Sequence, residues 1–283
     1  MFSGSTGKHN HKQDLVIFDF AGTLSLDTVL FSRNEVISRA LEESGLAELG
    51  VTDPGTFWSE VVGPTWEKGS TTDTGYVNIL SRQIKTKFSN PEKPLSYSQV
   101  QEAAAKFTEN YFAHSQIDPK WKSTFDYLSG INKARVIIAT DHYAEATKHI
   151  ANELKKLGFA ANPVSRAPKN QKINIANSAD LGFNKSTSEF WSTLHKALGT
   201  MPYNNILLID DFGFNEQEED VYGGKNKALS RRDKTTAILK EIFQTGHYTF
   251  PFFLERSGTD SEALKQNYHR LIEQAHAFIK KHI

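Results

Sequence analysis

Acidic side chains follow two of the most apolar segments of this 283-residue chain. Asp19 comes directly after residues 15–18, and the adjacent Asp210 and Asp211 come after residues 206–209. Short apolar runs of this kind are typical of buried parallel strands. Ligands bind beyond the carboxyl ends of such strands. The three carboxylates are therefore placed to act as a nucleophile or as ligands of a cation.

Two further segments favour a chemical role for Asp19. Taken alone, Asp19 also fits a residue that merely ends its strand and caps the following turn. However, residues 135–139 form another apolar run, which ends at Thr140, and Lys185 precedes a segment with helical periodicity. An Asp, a Thr, a Lys and an Asp pair thus occur in this order, and all but the Lys stand at predicted strand ends.

This order of motifs resembles the haloacid dehalogenase (HAD) superfamily of hydrolases and phosphotransferases, over roughly residues 14–255. The signature of that family is a strand with Asp-x-Asp-x-Thr, a strand ending in Thr or Ser, a Lys, and a strand ending in an acidic pair. The resemblance implies an α/β fold with a Rossmann-like, doubly wound parallel sheet and an inserted helical cap domain. It also implies a Mg²⁺-dependent hydrolase of phosphorylated substrates that acts through an aspartyl-phosphate.

The resemblance gives each motif residue a role. Asp19 would attack phosphorus as the nucleophile. Thr140 would donate its hydroxyl to a phosphate oxygen, and Lys185 would supply a compact positive charge. Mg²⁺, which prefers oxygen ligands, would separate the anionic nucleophile from the phosphate. Its expected ligands are the carboxylates of Asp19, Asp211 and Asp210 and the backbone carbonyl of Ala21.

Other roles stay open for two of these residues. Thr140 also fits a helix N-cap, and Lys185 also fits a solvated surface lysine. Lys172 and Lys196 compete with Lys185 for the catalytic position. Further contacts with substrate, or with metal-bound water, are expected from Thr23, Trp66, Lys68, Asp141 and Asn215.

Trp66 and Lys68 belong to residues 63–72, in which two glycines and a proline predict an irregular loop. A loop on the underside of a cap would let Trp66 stack on the substrate. Lys68 would then bind an anion or form an imine. The alternative is an ordinary loop whose Trp66 packs into the cap core.

Ala21 departs from the family pattern. Most phosphatases of the family carry a second Asp here, the general acid that protonates the leaving oxygen. A methyl group transfers no proton, and general acid catalysis is typically worth about 10²- to 10⁴-fold in rate. The metal site is unaffected by this change, because only the backbone carbonyl of that position is needed.

Three interpretations of Ala21 follow. The first is a phosphatase for leaving groups that need little protonation, such as aryl or acyl phosphates, with phosphotyrosine protein as one possible substrate. The second is similarity to phosphonoacetaldehyde hydrolase, which carries Ala here and forms a Schiff base with a cap lysine. The third is a catalytically weak binding protein on the same fold, by nature or through an engineered substitution. Dehalogenation is disfavoured because it needs no metal and no adjacent Asp pair.

The segments around these motifs predict the domain organisation. Residues 1–13 are expected to form a flexible tail, residues 14–31 and 119–283 the core, and residues 32–118 the cap. The strands are expected at residues 15–18, 135–140, 205–209 and 248–254, the last an edge strand because it contains Pro251. Helical spacing is present in residues 36–41, 76–84, 100–112, 143–157, 187–198, 231–243 and 261–283.

Composition excludes several classes of function. With 33 basic and 33 acidic residues, the chain has no net charge, which argues against general binding to nucleic acid or to anionic membranes. The absence of cysteine excludes disulfides, thiolate metal sites and a Cys nucleophile. The sequence has no apparent signal peptide or membrane span, so a cytoplasmic location is expected. The oligomeric state and the physiological substrate stay open.

Overall fold

The computed structural model contains one six-stranded sheet, and it describes residues 12–92, 94–166, 171–199, 202–217, 223–255 and 261–283. All strand pairs are parallel, in the order β3-β4-β2-β1-β5-β6. The strands are β1 (Gln13–Phe18), β2 (Ala134–Thr140), β3 (Ala161–Pro163), β4 (Ile173–Asn177), β5 (Tyr203–Asp210) and β6 (Gly246–Pro251).

Helices account for most of the remaining structure. None of the described helices is both long enough and apolar enough to cross a bilayer. The helices are α1 (Leu26–Phe31), α2 (Asn34–Ser44), α3 (Pro54–Thr56), α4 (Trp66–Ser70), α5 (Tyr76–Phe88), α6 (Tyr97–His114), α7 (Lys122–Gly130), α8 (Glu145–Lys156), α9 (Ser178–Leu181), α10 (Ser188–Ala197), α11 (Lys225–Phe243) and α12 (Ser261–His282). A π-helical turn spans Phe57–Val62, and 3₁₀ turns span Ala47–Leu49, Gly63–Thr65, Pro119–Trp121 and Val164–Arg166.

Both faces of the sheet are buried under helices. Val16 and Phe18 of β1 pack into a cluster with residues of α7, α8 and α12. The alternate residues Leu15 and Ile17 pack into a second cluster with residues of α10 and α11. Burial on both sides explains why β1 is a continuous apolar run, as all-parallel sheets require. The α/β class with a doubly wound parallel sheet is therefore confirmed.

The chain between β1 and β2 forms a helical insert with a core of its own. Helices α2, α5 and α6 and the π turn share a third buried cluster, which includes Leu41, Leu80 and Phe107. Tyr143, which follows β2, also belongs to this cluster and so joins the insert to the sheet. The helical character predicted for residues 32–118 is confirmed in the described part of that range, whereas the domain boundaries stay predictions.

Polar contacts also hold the insert against the sheet region. Both carboxylate oxygens of Glu145, at the start of α8, accept from the backbone N–H of Tyr76 at 2.8 Å. This carboxylate therefore caps the N-terminus of α5, where negative charge is favourable. Ser70 Oγ donates to Asn184 Oδ1 at 3.2 Å, which links α4 to the loop before Lys185.

Residues 63–72 do not form the predicted loop. A 3₁₀ turn over Gly63–Thr65 runs into α4, which ends at Ser70. Pro64 lies in the first turn of this segment, where a missing N–H costs nothing. Gly69 allows close packing, since a Cβ there would lie 2.4 Å from Cε1 of Tyr143. The loop prediction was wrong because these residues serve helix initiation and packing.

Other element boundaries also differ from the sequence pattern. The pattern did not indicate β3 or β4, because β3 is only three residues long and β4 interrupts its apolar residues with Asn174 and Asn177. Asn174 is accommodated because its Oδ1 accepts from Arg135 Nε at 3.2 Å. Helix α11 begins at Lys225, before the predicted start, and β6 ends at Pro251 as an edge strand.

We expect Gly69→Ala to destabilise the protein and to disturb the contact between α4 and Tyr143. Overpacking of this kind costs typically about 1–3 kcal/mol. Thermal unfolding measures the loss. Gly130→Ala is the matched control, because its Cβ would meet nothing within 4 Å. Equal melting temperatures for the two variants would contradict the close approach at Gly69.

Candidate active site

The predicted motif residues meet at the carboxyl edge of the sheet. Asp19 directly follows β1, Thr140 is the last residue of β2, and Asp210 is the last residue of β5. Because β1 lies between β2 and β5, these strand ends are neighbours. Asp19, Thr140, Asp210 and Asp211 are all buried. The structure thus brings together residues from three segments that are far apart in the sequence.

Lys185 completes this group. Its Nζ lies 2.5 Å from Asp19 Oδ1 and 2.9 Å from Asp210 Oδ2. Two hydrogen bonds fix the backbone of Lys185 and so position its side chain. Lys185 N donates to Asp141 Oδ1 at 2.8 Å, and the Lys185 carbonyl accepts from Trp191 Nε1 at 2.7 Å. Burial opposes the charge of the ammonium, but the surrounding carboxylates outweigh burial and raise the pKa of Lys185.

The two competing lysines lie elsewhere. Lys172 Nζ donates to the backbone carbonyls of Ser129 and Ile131. Lys196 is exposed near the end of α10. Of the three candidates, Lys185 is therefore the lysine that contacts Asp19.

The carboxylates form a site suited to a divalent cation. Asp19, Asp210 and Asp211 each offer an oxygen, and these atoms lie within 4.8 Å of one another. Three carboxylates against the one Lys185 ammonium leave a net charge of −2 when all are ionised. Burial, followed by the charge of Asp210, raises the pKa of Asp211 to about 7. Burial also raises the pKa of Asp19, although Lys185 opposes the rise. A hard cation with oxygen ligands, such as Mg²⁺, fits this donor set.

Asp211 is fixed by the loops around it. Its two carboxylate oxygens accept from Gly213 N at 3.1 Å and from Asn215 N at 2.9 Å, and its own N–H donates to Thr23 Oγ1 at 3.1 Å. Gly22 has a φ of 73°, and a Cβ there would lie 2.5 Å from Asp211 Oδ2. The glycine after Ala21 is therefore required for the approach of Asp211.

Thr23 and Asn215 are not among the residues that line the cavity beside Asp19, so their contacts with substrate or metal-bound water stay predictions. Thr23 is buried and accepts from Asp211, as described above. The amide of Asn215 donates to the carbonyls of Gly22 and Phe252 at 2.8 and 2.9 Å. Its Oδ1 accepts from Leu254 N at 2.8 Å. Both side chains therefore hold the loops that carry the carboxylates.

A cavity of about 110 Å³ lies beside the carboxylates. We call the residues of the insert that line it the roof, namely Ser32, Trp58, Val62, Trp66, Tyr76 and Tyr111. We call the other side of the cavity the floor, which consists of Lys185 and of residues at or just after the strand ends, namely Asp19, Ala21, Thr140, Asp141, Asp210 and Asp211.

The roof is mainly aromatic. Tyr76 stacks on Tyr143 with a centroid distance of 3.9 Å and an interplanar angle of 12°. Trp66 meets Tyr143 edge to face at 5.4 Å, and Trp66 lines the cavity as predicted. Lys68 is exposed and is not among the residues that line the cavity, so its contact with substrate stays a prediction. Two residues along a helix correspond to a rotation of about 200°, so Trp66 and Lys68 point to different sides of α4.

Sequence reasoning missed Tyr111 and His142, which both line the cavity. Tyr111 Oη lies 2.8 Å from His142 Nε2, and His142 Nδ1 accepts from Tyr143 N at 2.8 Å. Burial, and then the nearby His149, lower the pKa of His142 to about 3. In the sequence, Tyr111 falls within the apolar periodicity of α6, where an aromatic residue predicts packing rather than chemistry.

Comparison with known proteins supports the fold. No protein-family profile matches the sequence, and no curated protein sequence matches it. Among solved structures, the chain is similar to a 2-haloacid dehalogenase from Pseudomonas syringae pv. tomato DC3000. The TM-score is 0.51 at 14% identity, and the similarity covers 88% of this chain and 90% of that one. The chain therefore shares the α/β, Rossmann-like fold of that solved structure.

Proposed function

We propose that this protein is a Mg²⁺-dependent hydrolase of phosphoric monoesters that forms an aspartyl-phosphate on Asp19. The observation that carries the proposal is the buried group of three carboxylates at adjacent strand ends, of which Asp19 and Asp210 pair with Lys185. A carboxylate nucleophile beside a cation site is what attack on a phosphate dianion requires, since the two anions otherwise repel each other. The HAD-like fold is consistent with this chemistry.

Each floor residue has a distinct role in the proposed reaction. Asp19 attacks phosphorus, while the Thr140 hydroxyl and the Lys185 ammonium stabilise the negative charge on the transferred group. Asp211 and Asp210, with the Ala21 carbonyl, would hold Mg²⁺ beside the nucleophile. When bound, the metal would neutralise charge on the phosphate oxygens. Asp141 positions Lys185 through its backbone N–H.

The cavity favours substrates with good leaving groups. Ala21 lines the floor and offers no proton to the leaving oxygen. Phenolate and acyl leaving groups need little protonation, and the aromatic roof provides a surface for a flat, apolar group. Aryl or acyl phosphates are therefore the proposed substrates.

Two other reactions receive less support. A phosphonoacetaldehyde hydrolase needs a cap lysine in the cavity, yet Lys185 from the floor is the one lysine among the described residues that line it. The similar solved structure is a 2-haloacid dehalogenase, but dehalogenation does not require two adjacent carboxylates such as Asp210 and Asp211. A catalytically weak binding protein would keep the cavity without turnover, and a kinetic assay separates it from the enzyme.

The test is a panel of aryl and alkyl phosphates with and without Mg²⁺. A phenol has a pKa near ~10 and an alkyl alcohol lies several units higher, so we expect aryl phosphates to react faster by orders of magnitude. Ala21→Asp should rescue the alkyl esters selectively, because it supplies the missing acid. Steady-state kcat/KM for both proteins at saturating Mg²⁺ measures the effect.

Two outcomes would contradict this proposal. If neither ester class turns over and no phosphoenzyme forms with Mg²⁺, the protein is not a hydrolase of this type. If the rates do not depend on the leaving group, and Ala21→Asp changes nothing, then Ala21 does not determine the substrate class. Phosphonoacetaldehyde with borohydride trapping provides the corresponding test of the Schiff-base alternative.

A further inference from the structure

A hydrogen bond at the top of the cavity joins the insert to the end of β2. Tyr111 is on α6, and His142 lies two residues beyond Thr140. Their Oη and Nε2 atoms are 2.8 Å apart, and both side chains line the cavity that contains Asp19. The backbone N–H of His142 donates to Ser178 Oγ at 3.0 Å, which fixes the histidine in place.

The direction of this hydrogen bond follows from the other ring nitrogen. His142 Nδ1 accepts from the backbone N–H of Tyr143, so it carries no hydrogen. Burial keeps the imidazole neutral, because it lowers the pKa of His142 to about 3. The single ring hydrogen is therefore on Nε2 and is donated to Tyr111. In this bond the tyrosine oxygen is the acceptor, and the hydroxyl hydrogen of Tyr111 points away from His142.

We propose that the Tyr111 hydroxyl donates its proton to the leaving oxygen, in place of the acid that is missing at position 21. This inference rests on the proposed function. In-line displacement puts the leaving oxygen on the side of phosphorus opposite Asp19. Asp19, directly after β1, and Tyr111, on α6, line the same cavity, and the proposal places the leaving oxygen on the Tyr111 side of a bound phosphate.

The proposed step balances as follows. An Asp19 carboxylate oxygen forms a bond to phosphorus while the bond from phosphorus to the leaving oxygen breaks. The leaving oxygen keeps that electron pair and takes the proton of Tyr111. The hydrogen bond from His142 Nε2–H stabilises the resulting phenolate. When water attacks the aspartyl-phosphate, its proton passes to the phenolate, which restores Tyr111 and frees the Asp19 carboxylate.

This assignment is compatible with a preference for good leaving groups. Phenols are in general much weaker acids than carboxylic acids, with reference pKa values near ~10 and ~4. The Tyr111 hydroxyl therefore assists poor leaving groups less than a carboxylic acid would. The Ala21→Asp variant would therefore still add to the site a stronger acid than the Tyr111 phenol.

The experiment compares formation of the phosphoenzyme in wild type and Tyr111→Phe by rapid quench at saturating Mg²⁺. We expect Tyr111→Phe to react with phenyl phosphate about 10- to 100-fold more slowly than wild type. With 4-nitrophenyl phosphate, its rate should be reduced by less than about threefold. The reason is that nitrophenolate leaves without a proton. Tyr97→Phe, on the exposed start of the same helix, is the control and should react like wild type with both esters.

An equal slowing of both esters in Tyr111→Phe would overturn the assignment, because it would indicate a role in binding or packing. If circular dichroism shows that this variant is unfolded, site-specific 3-fluorotyrosine at position 111 decides instead. A more acidic phenol should make the rate depend less on the leaving group, and an unchanged dependence would overturn the proposal. If the position-111 variant forms phosphoenzyme with the same leaving-group dependence as wild type, only the role of Tyr111 is refuted. If the wild type forms no phosphoenzyme, the proposed function is refuted.

Discussion

Asp19→Asn is expected to reduce turnover of phosphate esters by about 10⁴-fold or more, since loss of a nucleophile removes a whole catalytic unit. A neutral amide is a poor nucleophile, and the change also removes one carboxylate from the cation site. In addition it breaks the ion pair of 2.5 Å with Lys185. Steady-state kinetics and intact-mass detection of the phosphoenzyme measure the two consequences.

Asp14→Asn is the matched control for this variant. Asp14 is a buried aspartate at the other end of β1, where its Oδ1 accepts from Asn205 Nδ2 at 3.0 Å. The control changes the same functional group in the same strand, yet it lies outside the cavity. It should therefore keep its kcat and form phosphoenzyme. Full activity in Asp19→Asn would remove the proposed mechanism.

Asp211→Ala is expected to abolish the dependence of activity on Mg²⁺. Asp210 already pairs with Lys185 at 2.9 Å, whereas Asp211 is held by backbone N–H groups alone among the hydrogen bonds described here. Its charge is therefore the less compensated of the two. Loss of a residue that contacts a metal ligand without binding the metal typically lowers metal affinity about 10- to 100-fold. Loss of Asp211, a direct ligand in this assignment, should lower the affinity for Mg²⁺ by more than that. Asp210→Ala should have a smaller effect.

Titration calorimetry with MgCl₂ measures this difference directly. Since Asp211 also fixes its loop, Thr23→Val provides a control that removes one loop contact but leaves every carboxylate in place. This variant should bind Mg²⁺ more tightly than Asp211→Ala does. Indistinguishable Mg²⁺ binding by wild type and Asp211→Ala would contradict the assignment of the ligand.

The sequence predicted those parts of the site that local patterns determine. Asp19, Thr140 and Asp210 each end an apolar run, and a run of this kind specifies both a buried strand and the position of its last residue. Parallel pairing then places the strand ends together without further information. Lys185 could be chosen over its competitors only with the structure, because its ion pairs join segments that are distant in the chain.

The remaining residues could not be assigned, because their partners are set by tertiary contacts. Asn215 and Thr23 have the chemistry of ligands, but their polar atoms are used by loops that the sequence does not show to be adjacent. Lys68 lies outside the cavity for a different reason, since the segment around it is helical and its side chain is exposed to solvent. Tyr111 and His142 carry no local signal that sets them apart from packing residues.

The central position of β1 also has a consequence for the kinetics of folding. Asp19 and Lys185 are 166 residues apart in the sequence, and β1 pairs with strands from both later parts of the chain. Closing loops of this length lowers the entropy of the chain before any stabilising contact has formed, which slows the formation of parallel sheets. During refolding, helical circular dichroism should therefore recover before catalytic activity. During synthesis, the nucleophile is made early but has no lysine partner until most of the chain has been translated.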